Sequence, residues 1–289
     1  GHEGVGEVVA VGDDVRGVRV GDRVIVPFQI NCGECGACVR GATGSCASLP
    51  LMAMYGMAPL AGLDGGGFLA DLVLVPFADA MLVPVPRRNG AEVDPVAIAS
   101  MSDNIPDGWR TVGLYRDELA ALAPADRRVL VVGRLSIGLY AAATAAALGA
   151  HVDYVDTDAN RLAVAEKLGA VVHDRAKPDK TAEPYPVTVH TTADPALLAA
   201  TLRVTWPDGV CTDTGIYTDG SVQMPLLAMY TRGVRFVTGR VNARAVLPDV
   251  LDLLAGQSVS PVVERVVPWA DAPTEWPAMT GKTVFSRTA

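Results

Sequence analysis

The stretch NCGECGACVRGATGSC, residues 31–46, decides how the rest of the chain is read. Its cysteines, Cys32, Cys35, Cys38 and Cys46, fall in the order C-x2-C-x2-C-x7-C. The loop that carries them is rich in glycine and has no hydrophobic period, so burial alone cannot hold it together. Four thiolates converging on one tetrahedral ion would supply the missing cross-link. A site closed by four cysteines is structural, because catalytic zinc keeps a position open for water or substrate. Two disulfides are the competing reading. Short C-x2-C steps suit two ligands of one ion better than they suit disulfide pairing, and no segment resembles a secretory signal. The expectation is a structural zinc on these four cysteines.

Upstream, Gly1-His2-Glu3 with Gly6, Gly12 and Val15 spells G-H-E-x2-G-x5-G-x2-V, and Val20-Gly21-Asp22-Arg23-Val24 follows. Together with the cysteine loop, these motifs resemble, in the same order, those of the zinc-dependent medium-chain alcohol dehydrogenases. The resemblance implies that His2 binds a catalytic zinc, with Glu3 as its neighbour or alternate ligand. It also implies a further cysteine ligand upstream of Gly1, so the chain looks like an N-terminally truncated member. A third ligand is implied at Ser102-Asp103-Asn104-Ile105-Pro106, whose S-D-x-x-P form resembles the branch containing glutathione-independent formaldehyde dehydrogenase. There the ligand is Asp, which makes Asp103 the candidate. Read without the family, Ser-Asp ahead of a helix is better taken as an N-terminal cap.

Composition narrows the function classes. The 289 residues are 50% hydrophobic and 19% charged, enough for two packed domains and too apolar for disorder. A net charge of -8 argues against a nucleic-acid or anionic-membrane surface. The longest apolar run, residues 137–150, falls short of the roughly 20 residues a membrane span needs. The expected partner is a small molecule, with no nucleic acid and no membrane, and the expected location is the cytoplasm.

The first hundred residues read as β-rich, with strands over 5–11, 23–26, 68–75 and 81–85. Met52, Met54 and Met57 around Tyr55 read as apolar filling, a substrate wall being the alternative. A helical period over 93–114 is broken by Pro106 into two pieces. Residues 128–132 (RVLVV) then form a buried strand that runs into Gly133-Arg134-Leu135-Ser136-Ile137-Gly138 and an Ala-rich helix. This is the strand, glycine turn and helix of a dinucleotide site, except that Leu135 stands where the second glycine lets pyrophosphate approach the backbone. Asp156 closes the next strand, 151–155, about 20 residues on, where an acid receives the adenosine ribose. That favours NAD over NADP, with Arg161 one helical turn beyond; a capping role for Asp156 is the alternative. Further strands at 170–173, 186–191, 209–217 and 234–239 alternate with helices at 160–168 and 195–204, which implies a parallel doubly wound sheet. A helix at 247–254 and a strand at 262–267 follow. Thr192, Gly215 and Ile216 fall at strand carboxyl ends, and by resemblance that region lines the nicotinamide. Lys282 stands where family members place a cation against the pyrophosphate, a solvated lysine being an equally good reading. Cys211, His151, His173 and His190 read as structural.

The expected fold class is α/β: an incomplete GroES-like β-rich catalytic domain (1–103 with 241–289) and a Rossmann NAD-binding domain (104–240). The expected function is hydride transfer between an alcohol or aldehyde hydrate and NAD. Zinc would be catalytic at His2, Glu3 and Asp103 and structural at the cysteines, and the chain would form a homodimer or homotetramer. Two alternatives stand beside it. One is a nucleotide-binding or oligomerisation protein that keeps the fold and structural zinc without turnover. The other is a zinc-free quinone or enoyl reductase, against which the cysteine loop and His2 count.

Overall fold

The computed structural model describes all residues except 58–61, 86, 89–90, 182, 219, 254–261 and 288–289. Near the N-terminus, β1 (Val5–Glu7), β2 (Arg23–Ile25) and β3 (Val83–Pro84) form a small antiparallel sheet in that order. Ile25 and Val24 are buried beneath it. The helical region that follows ends in α1 (Asn104–Arg110).

From there the chain winds a six-stranded parallel sheet. Its strands are β4 (Arg128–Val132), β5 (His151–Asp156), β6 (Val171–Asp174), β7 (Tyr185–His190), β8 (Thr205–Asp213) and β9 (Arg235–Thr238). They lie in the order β6-β5-β4-β7-β8-β9. This is the Rossmann arrangement, in which strand order reverses between β4 and β7 and a crevice opens at their carboxyl ends. The physical cause is legible in the residues: four of five β4 side chains are buried, as a strand covered on both faces requires. The helices α2 (Leu135–Ala147), α3 (Ala159–Lys167) and α4 (Pro195–Arg203) return the chain between strands. Asp158 and Asp194 cap α3 and α4, accepting from Arg161 N–H at 2.9 Å and Ala196 N–H at 2.8 Å, each cap contributing about 1 kcal/mol.

The two sheets share one core. Ile25 and Ile98 join Ile105 and Trp109 of α1, Leu139 and Tyr140 of α2, and Val129 and Val131 of β4. Gly108 makes the α1–α2 contact possible, since a Cβ there would stand 2.6 Å from the Tyr140 Cβ. Between β8 and β9 lies α5 (Leu226–Arg232), and beyond β9 come α6 (Ala243–Leu253) and a parallel pair of β10 (Arg265–Pro268) with β11 (Thr283–Ser286). Among the described residues, no helix is long and apolar enough to cross a membrane.

Several expectations are corrected. Residues 68–75 form no strand: among the described residues the segment has no ladder partner, and Leu72 and Leu74 are exposed. The expected strand at 81–85 is a helical turn, Ala78–Met81, followed by the two-residue β3. The helical break falls at Asp103 (φ -152°, ψ -74°), not at Pro106. Pro106 sits in the first turn of α1, where backbone N–H groups have no partner within the helix, so its missing donor costs nothing. The strand expected at 262–267 runs Arg265–Pro268. Leu254, expected to end a helix, lies outside the described residues, which place α6 at Ala243–Leu253. Met54 is buried against Phe28, Val241 and Ala243, and Met52 and Met57 pack on the same cluster.

Candidate active site and metal centre

The cysteine loop closes on itself. The Sγ atoms of Cys32, Cys35, Cys38 and Cys46 all lie within 4.8 Å of one another, and all four are free thiols. Cys35 to Cys38 is 3.5 Å, Cys35 to Cys46 3.9 Å and Cys46 to Cys32 3.6 Å. Zn–S bonds of about 2.3 Å in a tetrahedron put sulfurs about 3.8 Å apart, so the donors already stand at ligand spacing. Disulfides would need about 2.05 Å. Backbone N–H groups donate into the cluster, Cys35 N–H to Cys32 at 3.4 Å and Ala47 N–H to Cys35 at 3.3 Å. Such donors pull the Cys35 thiol down to about 5, Cys38 N–H first and then Ala47 N–H. Burial pushes Cys38 up to about 12. The set can hold a metal ion.

The loop has little core of its own, so it is pinned from outside. Gly44 N–H donates to Asn242 Oδ1 at 2.9 Å, and Arg240 reaches Gly44 O at 2.8 Å. Gln29 bridges Val241 O and Ala243 N–H at 2.8 and 3.2 Å.

A second donor pair forms across the chain. His2 Nε2 faces Asp103 Oδ2 at 2.9 Å, 101 positions apart. Ser102 brings them together: its hydroxyl bonds both Gly4 N–H and Gly4 O at 3.0 Å, tying the residues after Glu3 to the start of α1. Burial raises the Asp103 carboxyl, while the hydrogen bond from His2 opposes the rise. Glu3 is committed elsewhere. One oxygen accepts from Asn104 N–H at 3.1 Å and the other pairs with the Lys282 ammonium. Lys282, expected on the pyrophosphate, here balances a largely buried carboxylate. Oriented by its neighbours, the Asn104 amide donates to Asp103 Oδ2 at 3.0 Å and accepts from Ser136 Oγ at 2.8 Å and Lys282 Nζ at 3.1 Å. A continuous polar path therefore runs from His2 through Asp103 and Asn104 to the glycine turn.

That turn lies at the sheet's switch point. Gly133 and Gly138 are both required: a Cβ on the first would strike Tyr154, and one on the second would come within 3.0 Å of Gly133 Cα and Thr191 Oγ1. Thr191 Oγ1 accepts from Arg134 N–H at 3.1 Å, which stitches the ends of β4 and β7 together. Leu135 takes φ +60° and is 70% exposed, a left-handed backbone that favours glycine. Ile137 is half-buried in the first turn of α2. At the end of β5, Asp156 is 5% exposed and gripped by Arg161, whose Nε and Nη2 donate at 2.7 and 2.9 Å. Burial alone would push this carboxyl up; Arg161 and the Asp158 and Thr157 N–H groups more than offset it and hold it below the usual range.

At the ends of β7 and β8, Thr192 Oγ1 meets His190 Nε2 at 2.7 Å, Gly215 N–H donates to Asp213 Oδ1 at 3.2 Å, and Ile216 is exposed. Sequence reasoning missed Asn104, Thr191 and Asp213. Asn104 lies inside a quoted motif, and a polar residue directly after a candidate ligand was the available signal. Asp213 carried none.

Residues 1–87 match the family described as the alcohol dehydrogenase GroES-like domain. The glutathione-independent formaldehyde dehydrogenase of Pseudomonas aeruginosa is 38% identical over 181 residues, covering 61% of this chain and 43% of that protein. Zinc-type alcohol dehydrogenase B of Aspergillus flavus is 28% identical over 267 residues, covering 88% of this chain and 59% of that one. Among solved structures, alcohol dehydrogenase TADH from Thermus sp. ATN1 superposes with a TM-score of 0.82 at 26% identity, covering 99% of this chain and 84% of that chain. The chain spans about half the length of the curated relatives it matches.

Proposed function

We propose, from the premise that this chain belongs to the medium-chain dehydrogenase family of the zinc-type alcohol dehydrogenases, that it transfers a hydride between an alcohol or aldehyde hydrate and NAD. One observation carries this reading: His2 and Asp103 converge at 2.9 Å, on a polar path that ends at the glycine turn. Bound in such a site, zinc supplies Lewis-acid polarisation of an oxygen and the nicotinamide supplies a hydride acceptor. His2 and Asp103 would hold the metal. Asn104 fixes the carboxylate oxygen that faces His2, and Lys282 neutralises Glu3 beside it. Gly133 and Gly138 let the turn that would carry the pyrophosphate close on Tyr154 and Thr191, and Asp156 would receive the ribose hydroxyls once Arg161 turns away from it.

The cysteine cluster would be a structural zinc site that holds the loop of residues 31–46 against 240–243. The pinning of that loop supports dividing the chain into 1–103 with 241–289 and a dinucleotide unit at 104–240. We further propose a homo-oligomer formed along the free edge of β9. The helix that leads into β9 carries Leu226, Leu227 and Tyr230, which are 67, 77 and 85% exposed, and an edge strand in a chain with such exposed apolar side chains favours pairing with a second copy.

The test is metal content per chain, with NADH formation from a panel of alcohols and formaldehyde, in the wild type, His2→Ala and Cys38→Ser. Two zinc ions falling to one in His2→Ala, with the fold intact and turnover lost, supports the reading. One zinc, lost only in Cys38→Ser, overturns it in favour of a nucleotide-binding protein without turnover.

A further inference from the structure

We propose that the buried Asp213–His190 pair positions the nicotinamide end of the cofactor, acting through the Thr192 hydroxyl and the Gly215 loop; this rests on the dinucleotide reading above. The parallel register sets the pair up. Val132, His190, Asp213 and Thr238 stand side by side as the last residues of β4, β7, β8 and β9, at the carboxyl edge of the sheet. His190 and Asp213 are both wholly buried, and Nδ1 meets Asp213 Oδ1 at 2.7 Å.

The chemistry fixes directions along this chain of contacts. A carboxylate only accepts, so Nδ1 carries the proton toward Asp213, and in the neutral imidazole Nε2 accepts from the Thr192 O–H at 2.7 Å. With its proton committed, Thr192 Oγ1 offers lone pairs. One accepts from Asp194 N–H at 3.1 Å. The other is available to an N–H donor at the mouth of the crevice, which is what a nicotinamide carboxamide presents. Asp213 anchors the facing loop as well: Gly215 N–H donates to it at 3.2 Å, the Tyr217 hydroxyl lies at 3.3 Å, and the Thr238 hydroxyl donates to its other oxygen at 3.2 Å.

The two loops also touch, since a Cβ on Gly215 would fall 2.9 Å from Ala193 Cα. Ala193 itself takes φ +56°. A non-glycine residue held in that region between two hydrogen-bonded neighbours is the kind of local strain that collects at ligand sites. Packing alone does not explain the arrangement, because a buried ionisable pair is seldom more stabilising than apolar residues of similar volume.

Calorimetric affinities for NADH and for ADP-ribose, which lacks the nicotinamide, separate a positioning role from a structural one. Two variants are used. Thr192→Val removes the hydroxyl at constant shape, and His190→Asn keeps a donor toward Asp213 while losing the contact to Thr192. Each should weaken NADH about tenfold, the worth of one hydrogen bond, and leave ADP-ribose within about twofold. Equal weakening of both ligands, or of neither, overturns the proposal. Failure of the wild type to bind either ligand would sink the dinucleotide reading and this inference with it, a result distinct from the first two.

Discussion

Replacing Leu135 with glycine should change cofactor affinity while leaving stability almost unmoved. Three terms act on stability. Glycine holds the left-handed φ of +60° without a Cβ clash, which relieves about 1–2 kcal/mol. Glycine's greater freedom in the unfolded chain costs about 0.5–1 kcal/mol. Leu135 is 70% exposed, so the remaining third of a leucine's burial is worth about 0.5–1 kcal/mol. These nearly cancel, and the urea midpoint should stay within about 0.5 kcal/mol of the wild type. Affinity has no such cancellation. Removing the Cβ lets the pyrophosphate close on the backbone of the turn, and one hydrogen bond to a charged group contributes about 1.5–3 kcal/mol, or roughly 10- to 100-fold. The assay is calorimetric titration with NADH and ADP-ribose, with Leu135→Ala as the control that removes bulk but keeps a Cβ. Both ligands should tighten in Leu135→Gly and much less in Leu135→Ala. Unchanged affinity in the glycine variant, or equal gains in both, would refute the idea that the Cβ holds the pyrophosphate away.

Three further outcomes are expected. In the native protein, a chelator should expose four thiols to a disulfide reagent, Cys35 first because its thiol is held at about 5; Cys211, which burial raises to about 12, should react only after unfolding, and a fifth thiol reactive in the native state would contradict its burial. Burial also raises the Asp107 carboxyl from 3.8 to about 6, against the opposing pull of Arg110. The folded chain thus binds that proton more tightly than the unfolded chain, and the associated stability is full below about pH 4 and lost as pH rises through about 6. Relative to Asp107→Asn, the wild type should lose about 3 kcal/mol over that window, and parallel pH profiles in the two proteins would refute the shift. Finally, if the surface beside β9 pairs two copies, Leu227→Glu with Tyr230→Glu should yield monomers in sedimentation while keeping the circular dichroism spectrum; an unchanged assembly would place the contact elsewhere.

Most of the fold was readable because its signals are local. The RVLVV run, the glycines at 133 and 138 and the alternation of strands with helices each depend on neighbours within a few residues, and parallel crossovers have one favoured hand. The cysteine spacing works the same way, since ligands of one ion recur at short steps along a loop. Edges of elements were less legible. Residues 68–75 have strand-forming side chains but no partner ladder among the described residues, and whether a ladder partner exists is not a property of the segment itself.

By itself, then, the sequence determined the doubly wound sheet and the metal-spaced cysteines, while its resemblance to a known family singled out His2 and Asp103. Only the tertiary structure decided which groups meet. Glu3 turned to Lys282 because a buried carboxylate takes the nearest cation, and that cation is 279 positions away. Asp156 was taken by Arg161 for the same reason. His190 and Asp213, 23 residues apart, became partners through strand register. Register is fixed by the packing of whole faces, so no reading of one segment could have set it.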